Sequence, residues 1–291
     1  LKKGHRVIAF DLSPHAVKDL EAKGAVGAYS FEEFAAKFQS KPRVMWVMVP
    51  AGDPTTQSIN KLIEAGDPGD IIIDGGNTNW KVAMQDCERV KARGMYYMDA
   101  GTSGGIWGLE YGYCLMVGAE QEIYDHCLPL LKALAPDEGG LTRTGPEGSG
   151  HFVKMVHNGV EYGLMQAYAE GFQVMKLSKT FPGMNMQAIA EAWRTGSVVR
   201  SWLLDLIARG LEQDPELSTI KGWVEDTGEG RWTVEAAIDE SVPVPIIAES
   251  LFARFRSRME NTFGDRMLAM MRNQFGGHAV VTDATGETAH K

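Results

Sequence analysis

Three short apolar runs constrain this chain most: "RVIAFD" at 6–11, "RVMWVMVP" at 43–50 and "DIIIDGGNT" at 70–78. Each closes on an acid, a proline or a glycine pair, and the intervening "AVKDLEAKGA" and "TQSINKLIEAG" have helical spacing. A parallel strand needs a long crossover, usually a helix, to reach its neighbour, so this alternation predicts a doubly wound α/β sheet. The Ile71 to Ile73 run has no polar side and predicts a strand buried on both faces. "VAMQDCERVKARG" then reads as helix and "MYYMDAGTSGG" as strand and loop. From about residue 148 the pattern changes to long helical stretches at 150–177, 186–210 and 244–272. The expected organisation is a doubly wound α/β domain over 1–147 and an all-α domain over 148–291.

At 291 residues the chain can bury two cores. A net charge of −9 argues against nucleic acid as a partner, because polyanion binding needs a surplus of basic surface. Cys87, Cys114 and Cys127 show no CxxC spacing, so neither a disulfide framework nor a metal site is expected. The sequence contains no apolar run long enough for a membrane span and no apolar signal core, and the expected location is cytoplasmic. The polar tail "VVTDATGETAHK" is expected to be mobile at its end.

The stretch "FVKMVHNGVEYGLMQ" carries four polar residues on an otherwise apolar helix. At about 100° per residue, with Lys154 at zero, His157 falls near −60°, Asn158 near +40° and Glu161 near −20°. They form one narrow stripe. A helix apolar around most of its circumference is expected to be buried, with Gly159 and Gly163 admitting close neighbours. A lysine and a glutamate facing each other there must be paired or shifted in pKa, which is how acid and base catalysts are made.

Asp11 closes the first strand, where a dinucleotide fold places the acid that bonds the adenosine ribose hydroxyls; such a carboxylate would favour NAD over NADP. A turn opened by Asp11 with Ser13 and Pro14 explains it equally well. "DGGNTNW" and "DAGTSGGIWG" follow strands, and ligands in open α/β sheets bind at the carboxyl ends of strands. Ser103, Gly104 and Gly105 could present a hydroxyl and N–H groups to a carboxylate, or form a plain glycine-rich turn. Arg200, Arg231, Arg254, Arg256 and Arg272 are anion-binding candidates, though for most of them a solvated surface face is the simpler reading, and His278 could be a structural histidine.

Together, "DGGNTNW", "DAGTSGGIWG", "GHFVKMVHNGVEYGLMQ", "GRWTVEAAID", "VPVPIIAESLFARF" and "RNQFGGH" resemble the 6-phosphogluconate dehydrogenases, in their short-chain, often NAD-preferring branch within the β-hydroxyacid dehydrogenases. The resemblance implies a Rossmann-like domain followed by an all-α domain, with the first strand and glycine loop of that fold missing ahead of Leu1. It implies oxidative decarboxylation of 6-phosphogluconate to ribulose 5-phosphate with NAD, or NADP, as cofactor. Lys154 would be the general base on the C3 hydroxyl and Glu161 the acid that protonates C1, with His157 and Asn158 orienting the substrate. Asn77, Ser103, Gly104 and Gly105 match positions around the sugar and nicotinamide, and Asp11, Val49 and Asn77 positions around the cofactor. Tyr162 and Arg254 match phosphate contacts. Arg272 and His278 match a pair that reaches the neighbouring subunit's site, implying a homodimer or homotetramer.

One departure stands out: long-chain members use a lysine and a threonine for phosphate where "DTGEGRWT" has Thr227 and Glu229. A non-decarboxylating β-hydroxyacid dehydrogenase is the alternative enzyme reading, though such relatives usually follow the lysine with paired asparagines rather than "HNGVE". An inactive homologue acting as a binding or scaffold protein is the alternative outside enzymes.

Overall fold

The computed structural model describes residues 1–281 and the backbone of 288 and 289. Contacts divide the chain into two units, residues 1–161 with 228–242, and residues 162–227 with 243–291.

The first unit opens with β1 (Ile8–Phe10), α1 (Pro14–Glu21), β2 (Val26–Ala28) and α2 (Phe31–Ala36). It continues through β3 (Val44–Val47), α3 (Asp53–Ala65), β4 (Ile71–Asp74), α4 (Trp80–Lys91) and β5 (Tyr96–Ser103). A short helix α5 (Gly108–Tyr111), β6 (Cys114–Gly118), α6 (Gln121–Leu134) and β7 (Leu141–Gly145) then lead to the long helix α7 (Ser149–Lys176). Strands β1 and β2 pair in parallel with each other, while β3 to β7 form a five-stranded sheet in sequence order. That sheet is parallel except between β5 and β6, an antiparallel step that the alternating pattern does not predict.

Side-chain alternation explains why helices cover both faces. Met45, Val47, Ile72 and Tyr97 pack with Ile59 and Leu62 of α3 and Val90 of α4. The next residues along, Ile71, Ile73, Met98 and Ala100, pack with Ile123, Cys127 and Leu131 of α6. All four residues of β4 are buried, as its unbroken apolar run requires.

In the second unit the later half of α7 packs Tyr168, Phe172 and Met175 against α8 (Met186–Arg194) and α9 (Trp202–Gln213). The chain continues through α10 (Glu229–Asp239), which belongs to the first unit, then α11 (Pro245–Ser257) and α12 (Phe263–Gly276). The periodic stretches 186–210 and 244–272 are thus each two helices. Gly196 at φ +74° separates α8 from α9, and Asn261 at φ +47°, followed by the Thr262 cap, separates α11 from α12. The contact division lies within α7 rather than at 147, because the first turns of that helix are buried against β5. A short antiparallel pair, β8 (Val280–Val281) with β9 (Thr288–Ala289), follows, and the rest of the polar tail lies outside the described residues.

No described helix is long and apolar enough to cross a membrane. The expectation that α7 is buried around most of its circumference is not met: Val153, Val160, Leu164 and Met165 are all exposed.

Candidate active site

The seam between β5 and α7 creates the site. Alternate strand residues 99, 101 and 103 share one face, and helix residues 151, 154 and 157 share another, so the two series can run side by side. Asp99 accepts hydrogen bonds from the backbone N–H groups of Gly148 (2.6 Å) and His151 (2.7 Å), capping the first turn of α7. Gly101 has no side chain where one would collide: a methyl there would overlap Cβ of Lys154 and stand 2.7 Å from the Gly150 carbonyl. Ser103 Oγ lies 3.3 Å from His157 Nε2. Gly101→Ala is therefore expected to lower the melting temperature, with a cost of about 1–3 kcal/mol, and to reduce turnover as the helix is displaced. Thermal melts beside initial rates check this; unchanged values of both would refute the close seam.

Lys154 is 6 % exposed, and its Nζ donates to Asn158 Oδ1 at 2.7 Å. His157 Nδ1 lies 3.1 Å from the same oxygen, and its Nε2 faces Ser103 Oγ on the other side of the ring. Glu161 Oε2 is 3.9 Å from His157 Nδ1. The stripe read from the sequence is thus a linked set, Ser103–His157–Asn158–Lys154, with Glu161 at its edge. Burial lowers the Lys154 pKa, opposed by the charges of Glu161 and Glu229 and by Cys114. A lysine so placed gives up its proton more readily than a free one, the property a general base needs.

Asn77 sits at φ +52° after β4, and its side chain clasps one peptide of β5: Oδ1 accepts from Thr102 N at 2.9 Å and Nδ2 donates to Thr102 O at 3.1 Å. Each end of the amide has one further bonding position. Asn79 caps α4. Gly104 at φ +127° and Gly105 at φ +52° adopt backbone that side-chain-bearing residues rarely take, so their glycines are required by the turn itself.

At the carboxyl ends of β1 and β3, Asp11 is exposed and Val49 half-buried. Asp11 Oδ1 accepts from Ser13 N at 2.7 Å, so it does open a turn, and its carboxylate also faces solvent, where it could receive ribose hydroxyls. Residues 1–291 contain no G-x-G-x-x-G, so no residue is assigned to the pyrophosphate.

In the second unit Tyr162 is buried next to Glu161 in sequence, and the Arg254 guanidinium lies 3.5 Å from its ring centroid. Arg254 Nη1 donates to Glu225 O at 2.7 Å, and the Tyr162 hydroxyl accepts from Thr227 N at 3.4 Å. Arg272 and His278 are exposed on and just after α12, within this unit and apart from Lys154's. Arg256 pairs with Asp265 at 2.6 Å on the surface, and Arg200 is exposed.

The sequence singles out Glu229 only as a departure at a phosphate-binding place, and it does not single out Asp74, Asp99 or His151. Glu229, buried at the first turn of α10, acts electrostatically on Lys154. Asp74, Asp99 and His151 are buried together beneath the seam. Their signals were faint: Asp74 and Asp99 are acids at or within strands, and His151 precedes Lys154 by one helical repeat of three.

Comparison with known proteins agrees along the chain. The model for the NAD binding domain of 6-phosphogluconate dehydrogenase matches residues 1–144, and that for the C-terminal domain of the same enzyme matches 150–274. The NAD(+)-dependent, decarboxylating 6-phosphogluconate dehydrogenase of Haloferax volcanii is 40% identical over 281 residues, covering 96% of this chain and 92% of its own. The human decarboxylating enzyme is 36% identical over 274 residues, with 89% of this chain and 56% of its own length aligned. Among solved structures, 6-phosphogluconate dehydrogenase of Plasmodium falciparum superposes with a TM-score of 0.81 at 25% identity, over 98% of this chain and 62% of that one. A 3-hydroxyisobutyrate dehydrogenase from Mycobacterium tuberculosis, at 22% identity and a TM-score of 0.68, shares the fold. Two family models in tandem and a relative aligned over nine-tenths of both chains place this chain in the 6-phosphogluconate dehydrogenase family.

Proposed function

We propose that the chain oxidises and decarboxylates 6-phosphogluconate to ribulose 5-phosphate and CO2, with NAD as the hydride acceptor. The observation that carries the reading is Lys154, buried and lowered in pKa, with Glu161 on the same helix face. A bound NAD supplies the nicotinamide carbon that takes the C3 hydride. Lys154, neutral, removes the C3 hydroxyl proton as that hydride leaves. The resulting 3-keto acid loses CO2, and Lys154, now an ammonium, stabilises the enolate oxygen that develops. Lys154 returns its proton to that oxygen to give the enediol. Glu161, in its carboxylic-acid form, then delivers a proton to C1 while Lys154 takes up the departing hydroxyl proton, giving the ketose; water reprotonates Glu161 between turnovers. Ser103, His157 and Asn158 hold the hydroxyls through the network that joins them, and Gly104 and Gly105 let backbone N–H groups approach the carboxylate. Asn77 orients sugar and nicotinamide, Val49 packs beside the cofactor, and Asp11 receives the ribose hydroxyls. The Asp11 carboxylate would repel a 2′-phosphate, which favours NAD over NADP.

Phosphate recognition falls to Tyr162 and Arg254. The buried carboxylate of Glu229 is unsuited to the phosphate role its counterpart holds in long-chain members. Comparing NADH formation from 6-phosphogluconate with that from 3-hydroxyisobutyrate tests the assignment; preference for the small acid would overturn it. A phosphorylated sugar acid as substrate fits a cytoplasmic enzyme.

A homodimer or homotetramer is part of the same reading. Helix α12 buries none of its residues, and Phe263, Met267, Leu268, Met270, Met271 and Phe275 are all exposed. An apolar helix left in water needs a cover, and a second copy fits because Arg272 and His278 lie on and beside it. Leu268→Glu is expected to dissociate the assembly in sedimentation experiments and to cut activity at least tenfold. A fully active assembly of unchanged mass would refute the interface.

A further inference from the structure

We propose that His151 is a positioning residue for Lys154, anchoring with Asp74 and Asp99 the buried end of the β5–α7 seam. This rests on the dehydrogenase reading but has a test independent of it. His151 is 1% exposed, and its Nε2 lies 3.2 Å from Asp74 Oδ2, both side chains being fully buried. Neither ring nitrogen makes a hydrogen bond of good geometry among the described residues, so what holds the ring is the 3.2 Å charge contact of Nε2 with Asp74. Asp74 is itself held in place: Gly76 N donates to Oδ1 at 2.9 Å, and the Tyr97 hydroxyl donates to Oδ2 at 3.2 Å. One carboxylate therefore ties the loop leading to Asn77 to the helix carrying Lys154.

The backbone of His151 is fixed independently by Asp99, two strand positions before Gly101, against which the Lys154 stem rests. Residues three apart on a helix share a face, so a rotation of the first turn at His151 moves the Lys154 stem along β5. Burial opposes the imidazolium, but Asp74 and Asp99 outweigh it and raise the His151 pKa. A charge-assisted contact that excludes water has the rigidity such an anchor needs.

The test uses the full chain and the variants His151→Leu, His151→Gln and Asp74→Asn. In each, reductive methylation of Lys154 is followed against pH by peptide mass spectrometry, with exposed Lys18 as internal control, beside kcat and KM for 6-phosphogluconate. Leu is expected to change the Lys154 labelling rate at least fivefold relative to Lys18 and to lower kcat at least tenfold with KM within threefold. Gln, which keeps one donor, is expected to restore both to within threefold of the parent. If His151→Leu does not fold, Asp74→Asn must show the same Lys154 change. Unaltered Lys154 labelling in a folded Leu or Asn variant overturns the proposal. Should the parent chain form no NADH, the activity reading fails while labelling still decides the role of His151.

Discussion

Lys154→Met is expected to lower kcat for NADH formation by at least about 10³, because in the proposed mechanism one side chain acts twice, as base on the C3 hydroxyl and then as acid toward the enolate oxygen. The variant should remain folded. Methionine reproduces the stem that packs where Gly101 has no side chain, and it removes an ammonium that is buried at a cost. Against this, Asn158 Oδ1 loses the 2.7 Å bond from Nζ but keeps His157 Nδ1 at 3.1 Å. A lost neutral-scale hydrogen bond costs about 0.5–1.5 kcal/mol, so the melting temperature should stay within about 4 °C of the parent.

The lowered pKa also fixes two signs. The base form grows as pH rises, so kcat/KM for the parent climbs through the folded-state pKa of Lys154, which lies below the ordinary lysine value. For stability, folded and unfolded chains both hold the proton below the folded pKa, and the burial cost is felt in full. Between the folded and unfolded values the unfolded chain alone retains it, so stability rises with pH across that window. Lys154→Met lacks this rise. Urea titrations at several pH values would expose the difference, and parallel parent and variant curves would refute the depressed pKa. Turnover near the parental rate would remove Lys154 from the chemistry altogether.

How far the sequence could be read depended on whether local pattern or long-range pairing decided the outcome. The Ile71 to Ile73 run announced its two-sided burial because every side chain in it is apolar. The Lys154, His157, Asn158 and Glu161 stripe was visible because helical geometry alone brings those residues to one face. What stayed hidden was the partner of that face. Gly101 is one of many glycines in sequence, and only its pairing with α7 shows that a Cβ would collide with Lys154. Likewise Asp99 reads as one more strand acid until Gly148 and His151 point their N–H groups at it. The antiparallel step from β5 to β6 depends on the tight return through Gly104 to Gly112, which no periodicity encodes. Helix α7 shows the limit from the other side. Its apolar circumference suggests burial all round, but Val153, Val160, Leu164 and Met165 are exposed.

Glu161→Gln separates the two halves of the reaction. Glutamine preserves size and hydrogen-bonding reach beside His157 but cannot deliver the proton to C1, so kcat should fall about 10²–10³-fold with KM within threefold. Because hydride transfer is left intact, the slow step moves to protonation. The isotope effect of C3-deuterated 6-phosphogluconate on kcat should then shrink toward unity. A second consequence follows from charge. Glu161 raises the Lys154 pKa against the burial that lowers it, so removing the carboxylate should move the acid limb of the kcat/KM profile to lower pH. Glu229 still acts on Lys154, which keeps that displacement partial, and Glu161→Gln/Glu229→Gln should carry the limb further in the same direction. A parental kcat in Glu161→Gln would assign C1 protonation to another group, and a limb displaced to higher pH would contradict the electrostatic coupling between the two ends of the stripe.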